Sequence, residues 1–242
     1  GEIITDGWRS NEVKDALQLC LACKGCKGDC PVNVDMATYK AEFMSHHYRG
    51  RLRPRVAYAM GLINTWARVA AHIPRLANFF SRTPPFASVL KAFGGIAPQR
   101  EIPAFADETF VAWFADRPVI GAGRPNVILW PDTFTNHFFP GTAKAAVEVL
   151  EDAGYRVVLP GRPLCCGRAL YDWGMLDRAK RHWRQILNTL SDEIRAGAPV
   201  VGLEPACVAA FRDELGNLFP VDESAKRLAK QTYMLSEFLE KI

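Results

Sequence analysis

The sequence lacks any uninterrupted run of the ~20 apolar residues that a bilayer-spanning helix needs, so we predict no transmembrane segment. It also lacks a strong charge imbalance, because 30 Lys and Arg against 26 Asp and Glu leave a net charge of +4. No motif of stacking aromatic residues accompanies this slight basic excess. We therefore exclude a nucleic-acid partner.

The first ten residues lack the basic region and apolar run that mark a secretory signal peptide. They read G-E-I-I-T-D-G-W-R-S without an initiator Met, which is typical of a start inside a longer chain. The cysteines also indicate a reducing compartment, because they are an odd seven and four of them share a metal-ligand spacing. We expect a cytoplasmic protein that could touch the inner face of the membrane peripherally.

One compact cysteine motif is present, C-L-A-C-K-G-C-K-G-D-C-P over residues 20–31. Cys20, Cys23, Cys26 and Cys30 have the spacing C-x2-C-x2-C-x3-C-P, which is typical of [4Fe-4S] ligands. The small residues between them allow a tight turn. Structural zinc usually takes two cysteine pairs that lie far apart, and a disulfide needs an oxidising compartment. We therefore predict an iron–sulfur cluster over either alternative.

A second motif of this kind is absent from the 242 residues. In ferredoxins with two clusters, the cysteine before the proline binds the other cluster. Two alternatives follow for Cys30, which precedes Pro31. Either it serves a cluster whose other ligands lie on another segment or chain, or it closes a single cluster with the first three cysteines.

Residues 1–50 predict a helical ferredoxin-like half. A helix over 9–23, capped by Ser10 or Asn11, leads to the first cysteine, and Asp35 caps a second helix. We expect one face of this second helix to be apolar, and it carries Met36, Tyr39, Phe43 and His47.

Residues 51–124 predict a connecting region of short helices and prolines. The basic turn at 49–55 is expected to be solvated. Over 56–97, Ala, Leu, Phe and Trp form short amphipathic helices whose apolar faces could pack on a neighbouring domain or lie on a membrane surface. We favour the neighbouring domain.

In residues 125–242, short β-rich runs alternate with helical segments. The predicted strands are 127–130, 156–159 and 200–203. The predicted helices are about 142–153, 176–196, 206–215 and 223–240. This order predicts a small three-layer α/β domain with a mainly parallel sheet, so the fold class of the chain is α plus α/β.

Three cysteines lie in loops that follow predicted strands. Cys165 and Cys166 occur in P-G-R-P-L-C-C-G-R, and Cys207 occurs in E-P-A-C. Because the carboxyl ends of parallel strands meet at one edge of a sheet, we predict that the three thiols share one pocket. Polar residues that belong to the same set of loops are Asp132, Thr133, Asn136 and Glu204.

Adjacent cysteines are poorly suited to a structural disulfide, because their Cα atoms are only ~3.8 Å apart. The Cys165-Cys166-Gly167 triplet therefore indicates a ligand or redox role, and the three thiols with Glu204 could hold a zinc or iron ion. The alternative is that free cysteines pack as small apolar side chains, which we would favour for Cys207 alone.

Together the two cysteine sets resemble the C-terminal part of FAD- and iron–sulfur-dependent oxidoreductases of the D-lactate or glycolate dehydrogenase type. Residues 17–44 resemble the second cluster-binding segment of that family. Residues 126–215 resemble its cysteine-rich "CCG" domain, which heterodisulfide reductase and the small subunit of anaerobic glycerol-3-phosphate dehydrogenase share. Thr133 and Glu204 replace cysteines of the fullest CCG pattern, so we expect a smaller metal site or none instead of the large non-cubane cluster.

The resemblance implies an electron path from a reduced flavin through two [4Fe-4S] clusters toward the CCG domain or an outside acceptor. FAD would lie on a preceding region or on a partner subunit, because this sequence has no flavin or substrate fingerprint. We expect oxidation of a D-2-hydroxy acid (D-lactate, glycolate or D-2-hydroxyglutarate), with a quinone or carrier protein as acceptor and no activity in this fragment alone. The alternative is a stand-alone iron–sulfur subunit or scaffold that docks on a catalytic flavoprotein.

Overall fold

The computed structural model describes residues 4–241, and helices make up most of it. A single 3-10 turn, Gly7–Arg9, comes first. The helices that follow up to residue 124 are α1 Asn11–Gln18, α2 Gly25–Asp29, α3 Met36–His47, α4 Arg55–Gly61, α5 Ile63–Ala70, α6 Pro74–Arg82, α7 Phe86–Gly94 and α8 Phe110–Ala115. No helix within residues 4–241 combines the length and the apolar character needed to cross a membrane.

The second half of the chain alternates strands and helices. The strands are β1 Asn126–Leu129, β2 Arg156–Val158, β3 Val200–Gly202 and β4 Thr232–Met234. The helices are α9 Thr133–His137, α10 Pro140–Asp152, α11 Arg168–Asp172, α12 Leu176–Thr189, α13 Ser191–Ala196, α14 Pro205–Ala209, α15 Leu215–Leu218, α16 Glu223–Gln231 and α17 Leu235–Lys241, with a π-helical segment Ala210–Glu214 between α14 and α15.

The sheet has the order β2-β1-β3-β4 and is parallel throughout the described residues. The three predicted strands are confirmed to within one or two residues, and the predicted α plus α/β class is confirmed. The sequence prediction missed β4, which interrupts the single helix expected over 223–240. Thr232 and Tyr233 favour extended backbone, and they pair with Val200 and Val201 at the sheet edge.

Two further helix predictions are corrected in detail. The helix expected over 176–196 is two helices that meet at Leu190, which is fully buried. The helix expected over 206–215 contains the π-helical segment, which widens one turn. Both predictions rest on apolar residues that recur about every 3.6 positions. This pattern does not reveal a local change of helical pitch.

Each face of the sheet packs against a separate apolar core. Along β1, Val127 and Leu129 point to one core, while Ile128 and the following Trp130 point to the other. The first core is closed by α10 and α17, and the second by α12, α13 and the segment from α14 to α16. This alternation gives the helix-sheet-helix layering that the apolar strands predicted.

The first half begins with two capped helices, but the first ends at Gln18 and not at residue 23, so the predicted helix is wrong in its last turn and the four-cysteine loop starts outside it. The Ser10 side chain accepts a hydrogen bond from the N–H of Val13 at 3.2 Å, and Asp35 caps α3 in the same way. Leu17 of α1 packs on Phe43 of α3. The predicted apolar face of α3 is wrong at Tyr39, which is mostly exposed.

Helix α3 lies directly against the loop between α11 and α12. Gly174 permits this approach, because a Cβ there would lie 2.6 Å from the backbone nitrogen of Ser45. Arg53 reinforces it by donating to the carbonyls of Trp173 at 2.8 Å and of Gly174 at 2.9 Å. The prediction of a fully solvated basic turn over 49–55 is therefore wrong for Arg53.

Candidate functional site

The four-cysteine loop, residues 20–30, joins α1 to α3 and contains only the short helix α2. Its backbone turns sharply, because Ala22 (φ 55°) and Lys24 (φ 61°) both adopt the left-handed conformation that non-glycine residues rarely accept. Such conformations cost about 1–3 kcal/mol each and persist where the surrounding contacts enforce them. Cys23 is exposed, and the other three cysteines are half-buried.

Backbone N–H groups point at the sulfurs of this loop. The N–H of Ala22 donates to Cys20 Sγ at 3.4 Å, and the N–H of Met36, at the start of α3, donates to Cys26 Sγ at 3.4 Å. Hydrogen bonds from the N–H groups of Val34, Val32 and Asn33 lower the pKa of Cys30.

These donors identify the kind of ligand that the loop suits. Thiolate is the metal-binding form of cysteine, and N–H donors stabilise it. Hydrogen bonds to sulfur also tune the reduction potential of iron–sulfur clusters. Four thiols within eleven residues, with amides directed at their sulfurs, therefore fit a cubane cluster, in which each thiolate binds a different iron. Within residues 4–241, no three His, Cys, Asp or Glu side chains surround a position for a single metal ion.

The second set of thiols lies at the carboxyl edge of the sheet, which we call the CCG edge (Cys165, Cys166 and Cys207). The structure brings all three together: Cys166 is hydrogen-bonded through its thiol to both Cys165 and Cys207. Thr133 Oγ1 lies 3.5 Å from Cys165 Sγ, so it contacts the sulfur directly. Cys166 and Cys207 are buried, and Cys165 is partly buried.

The surroundings of the CCG edge keep its thiols protonated. The hydrogen bond with Cys166, together with burial, raises the pKa of Cys165 well above its ordinary value. For Cys166 the hydrogen bond from Cys165 lowers the pKa, but the bond to Cys207 and burial outweigh it and leave a strongly raised pKa. The hydrogen bond from Cys166 lowers the pKa of Cys207, yet burial and nearby negative charge raise it overall.

The polar residues predicted for this edge have mainly structural contacts. Asp132 caps α9, accepting from the N–H of Phe134 at 2.8 Å, and Glu204 caps α14, accepting from the N–H of Ala206 at 3.3 Å. Both still line the cavity in front of the thiols. Asn136 does not join them, because its side chain accepts from the N–H of Val111 at 3.0 Å.

A cavity of about 590 Å³ opens onto the CCG edge. The three thiols and the cap carboxylates form one wall. Much of the remaining lining is apolar and includes residues of α4, α5 and the segment 96–105. This volume lies in the range of sites for small organic ligands, which are typically apolar with a few polar groups at one end.

Gly167, the last residue of the triplet, holds the thiol loop against α12. Its φ of 80° is left-handed, and a Cβ there would lie 2.5 Å from Trp183 Nε1. That indole nitrogen donates to the carbonyl of Cys166 at 2.6 Å, and His182 Nε2 lies 2.6 Å from the carbonyl of Cys165. The backbone of both cysteines is therefore fixed by α12.

Arg168 links the two cysteine sites, a role that the sequence analysis missed. Its guanidinium donates to the carbonyl of Ala22 in the four-cysteine loop at 2.6 Å and to Asp172 at 2.8 Å. It also forms an ion pair with Glu214, which is completely buried in the π-helical segment. The signal in the sequence was its position directly after Cys-Cys-Gly, but nothing local identified its partners.

Lys24 makes a second link between the two halves. Its ammonium group contacts Asp35 at 3.0 Å, Glu214 at 3.5 Å and, more closely, Asp213. Lys27 also pairs with Asp213. The π-helical segment thus offers two consecutive carboxylates to the four-cysteine loop, and π-helical turns often occur at functional sites.

Comparison with known proteins supports the resemblance to the FAD- and iron–sulfur-dependent oxidoreductases. The chain is 27% identical over 218 residues to D-2-hydroxyglutarate dehydrogenase of Pantoea ananatis and 26% identical over 240 residues to that of Pseudomonas putida. These matches cover 85% and 93% of the chain. They cover 21% and 23% of those dehydrogenases, so the chain spans about a fifth of their length.

A shorter relative matches the chain over less of its length. Lactate utilization protein A of Bacillus subtilis is 32% identical over 117 residues, which is 47% of this chain and 47% of that protein. No protein-family model matches the chain. No solved structure matches it either.

Proposed function

We propose that this chain is the electron-transfer portion of an FAD- and [4Fe-4S]-dependent oxidoreductase that oxidises a D-2-hydroxy acid. One observation carries the proposal: the four-cysteine loop directs backbone N–H groups at its sulfurs and is joined to the CCG edge through Arg168. Relatives named D-2-hydroxyglutarate dehydrogenase support the oxidoreductase class and suggest the substrate class.

In this proposal, Cys20, Cys23 and Cys26 bind one cluster, and Cys30 either completes it or binds the neighbouring cluster. A [4Fe-4S] cluster supplies one-electron transfer when it is bound. The chain contributes the thiolates, the N–H donors that stabilise their charge, and the ion pairs of Lys24 that fix the loop on the second half of the chain.

The surface beside the loop suits a protein partner. Leu19, Leu21 and Val32 lie within or next to the four-cysteine motif, and each is at least three-quarters exposed. Exposed apolar residues in such a group mark interaction sites. We propose that they contact the flavin-binding region, or the segment that carries the second cluster, whether it lies in the same chain or in a partner subunit.

The CCG edge is the proposed far end of the electron path. Its apolar cavity suits a quinone-type acceptor better than a highly charged one, while a carrier protein would instead approach the outer surface. As they stand, the three thiols and Glu204 do not surround a position for a single metal ion, so we propose that a small metal site forms here only when their side chains rearrange around the cation. A bound cation would lower the pKa of the thiols and convert them to thiolates.

A second candidate function is a separate iron–sulfur subunit without its own catalytic activity. The match to lactate utilization protein A favours it, because there the matched region makes up about half of each protein instead of a fifth. The flavoprotein would then be another chain. Both proposals place the FAD and the acid substrate outside these 242 residues, so both predict that this chain alone is inactive.

The test uses the complete protein with any co-purifying partner, under anaerobic conditions. Adding D-2-hydroxyglutarate, D-lactate or glycolate should bleach the flavin absorbance and then generate the electron paramagnetic resonance signal of a reduced cluster. In a Cys23→Ser variant the flavin should still bleach, but electrons should no longer reach an external acceptor. Flavin reduction and acceptor reduction that both survive the loss of the cluster would contradict the proposal.

A further inference from the structure

Helices α5, α6 and α7 expose an unusual number of large apolar side chains, which we call the α5–α7 apolar surface. Its exposed members are Trp66, Val69, Ile73, Leu76, Phe79, Phe80, Phe86, Val89, Leu90 and Phe93. Phe93 is 73% exposed. Single exposed apolar residues are ordinary, but a contiguous group of this kind marks a site of interaction with another molecule or a membrane.

Three aromatic rings of this surface, those of Phe79, Phe80 and Phe86, form a continuous patch. The ring centroids of Phe79 and Phe86 are 5.8 Å apart, and those of Phe80 and Phe86 are 5.1 Å apart. The rings therefore pack on each other across α6 and α7, yet each remains at least 40% exposed. The two helices hold the apolar groups toward the outside instead of burying them between themselves.

The charge of the same region has one sign. Residues 51–100 contain no Asp or Glu, although the whole chain has 26. The basic residues of this stretch are Arg51, Arg53, Arg55, Arg68, Arg75, Arg82, Lys91 and Arg100. In the described part of the chain Arg68 and Arg82 form no ion pair, and Arg75 reaches Asp107 only at 3.9 Å with both side chains exposed.

We propose that the α5–α7 apolar surface lies on the face of an anionic lipid bilayer. Phe, Trp and Leu on one side, with Arg and Lys beside them, is the composition of helices that rest in the interface of a membrane. Each of these helices has eight or nine residues and is thus at most about 14 Å long, so it lies along the surface. The long arginine side chains can reach lipid phosphates while their stems stay among apolar groups.

The charge distribution favours a bilayer over protein occupants. A second copy of this chain would bring the same arginines face to face with no carboxylate in residues 51–100 to compensate them. Another part of the protein could cover the α5–α7 apolar surface only if it combined an apolar surface for the rings with acidic groups for the arginines. An anionic bilayer supplies both, since acyl chains take up the aromatic rings and headgroups attract the guanidinium groups.

The test measures co-sedimentation of the complete protein with vesicles. One set of vesicles is phosphatidylcholine alone, and the other contains added phosphatidylglycerol. We expect binding to the second set that weakens as salt is raised, because the arginine contribution is screened. The inference concerns only where the protein is located. Turnover with a water-soluble acceptor, measured without vesicles, should therefore stay unchanged in every variant. Vesicle binding and turnover are separate measurements, so this inference and the proposed function can fail independently.

Two variants separate the apolar and charged contributions. Replacing Phe79 and Phe93 with Ser should weaken vesicle binding by roughly tenfold or more. Replacing Arg68, Arg75 and Arg82 with Gln should weaken it by roughly a hundredfold on anionic vesicles and reduce the salt dependence.

Matched controls carry the same changes elsewhere on the chain. Phe139→Ser with Val221→Ser removes two exposed apolar groups, and Arg178, Arg181 and Arg227 changed to Gln remove three exposed charges. Both controls should bind vesicles as the unmodified protein does.

Three results would overturn the inference. The first is no binding to anionic vesicles at low salt, and the second is equal losses in test and control variants. The third is a change in oligomeric state, or loss of a flavin-binding partner, that appears in the test variants without any change in vesicle binding. Circular dichroism spectra that match the unmodified protein would show that each variant is folded.

Discussion

The four-cysteine loop and the CCG edge present the same chemical group in opposite surroundings. In the loop, backbone N–H groups face the sulfurs, and they lower the pKa of Cys30. At the CCG edge the N–H groups of Gly167 and Arg168 also reach Cys165 and Cys166, but neighbouring thiols and burial outweigh them, and the pKa values of all three cysteines are raised. The loop is therefore prepared for the thiolate form, whereas the edge favours the neutral thiol.

This difference has its origin in local structure. The loop contains left-handed residues and ends where α3 starts, so several N–H groups lack helical partners and are free to face sulfur. At the CCG edge, the starts of α9 and α14 are capped by Asp132 and Glu204. The same carboxylates add negative charge beside Cys207, and burial raises the pKa of all three thiols, so a cation at this edge would be needed to stabilise thiolates.

The largest expected effect is on iron content. Replacing Cys20, Cys23 or Cys26 with Ser should remove about four irons per chain from the anaerobically purified complete protein, because each cysteine supplies one ligand of the same cluster. Iron and acid-labile sulfide should be measured together.

Cys165→Ser serves as the control for the loop variants and should retain that cluster. If Cys30 serves a neighbouring cluster, Cys30→Ser should lower the iron of that cluster instead, leaving a distinct remaining signal. Unchanged iron in all three loop variants would contradict the assignment of the loop.

The next largest effect concerns the link between the two sites. Arg168→Gln removes the closer of the two cationic partners of the fully buried Glu214 and leaves only Lys24 at 3.5 Å, and breaking a buried ion pair typically costs about 3–5 kcal/mol in the free energy of unfolding. Arg195→Gln is the control, since its pair with Asp192 is exposed and should contribute less than about 1 kcal/mol. Urea denaturation of both variants tests this, and similar small losses would show that Arg168 does not tie the halves together.

A smaller loss of stability is expected from Gly167→Ala. The left-handed backbone and the close approach to Trp183 together should cost about 2–4 kcal/mol. Gly123→Ala isolates the backbone contribution, because Gly123 has a similar φ of 88° and no atom near its would-be Cβ. It should cost about 1 kcal/mol. Equal losses in urea denaturation would mean that the loop can move away from α12.

The sequence alone predicted which cysteines belong to each of the two sites and where the sites lie in the fold. Spacing alone identified the cysteines of the loop as a group, and the β-α-β order placed Cys165, Cys166 and Cys207 after strands that share a sheet edge. The strand positions followed from short β-branched runs, which are strong local signals. Cap residues such as Ser10 and Asp35 were equally visible, because capping depends on neighbours within three residues.

Long-range features were not accessible in this way. The pairing of Arg168 with Ala22 and Glu214 joins positions far apart in sequence, and no local pattern encodes it. Strand β4 was hidden because its three residues are flanked by helical segments and gain their partner only from β3. The environment of each thiol, which separates the two sites, likewise depends on tertiary contacts. The metal content of both sites and the division at residues 50 and 124 stay predictions.

The last prediction concerns alkylation of the metal-free protein by iodoacetamide, followed residue by residue by mass spectrometry. Only the thiolate reacts, and each unit of added pKa lowers its fraction tenfold. At neutral pH, Cys30, whose pKa is lowered, should therefore react at least about tenfold faster than Cys165, Cys166 and Cys207, whose pKa values are raised and two of which are buried. As pH rises, the rates of the slow thiols should keep increasing after that of Cys30 has levelled off. Zinc is then added at neutral pH to a variant in which Cys20, Cys23, Cys26 and Cys30 are changed to Ser, so that the loop cannot bind it. Protons should be released if the CCG edge binds the cation, and none should be released if it does not. Thiols at the CCG edge that react as fast as Cys30 without metal would show that the two sites do not differ in the way their contacts indicate.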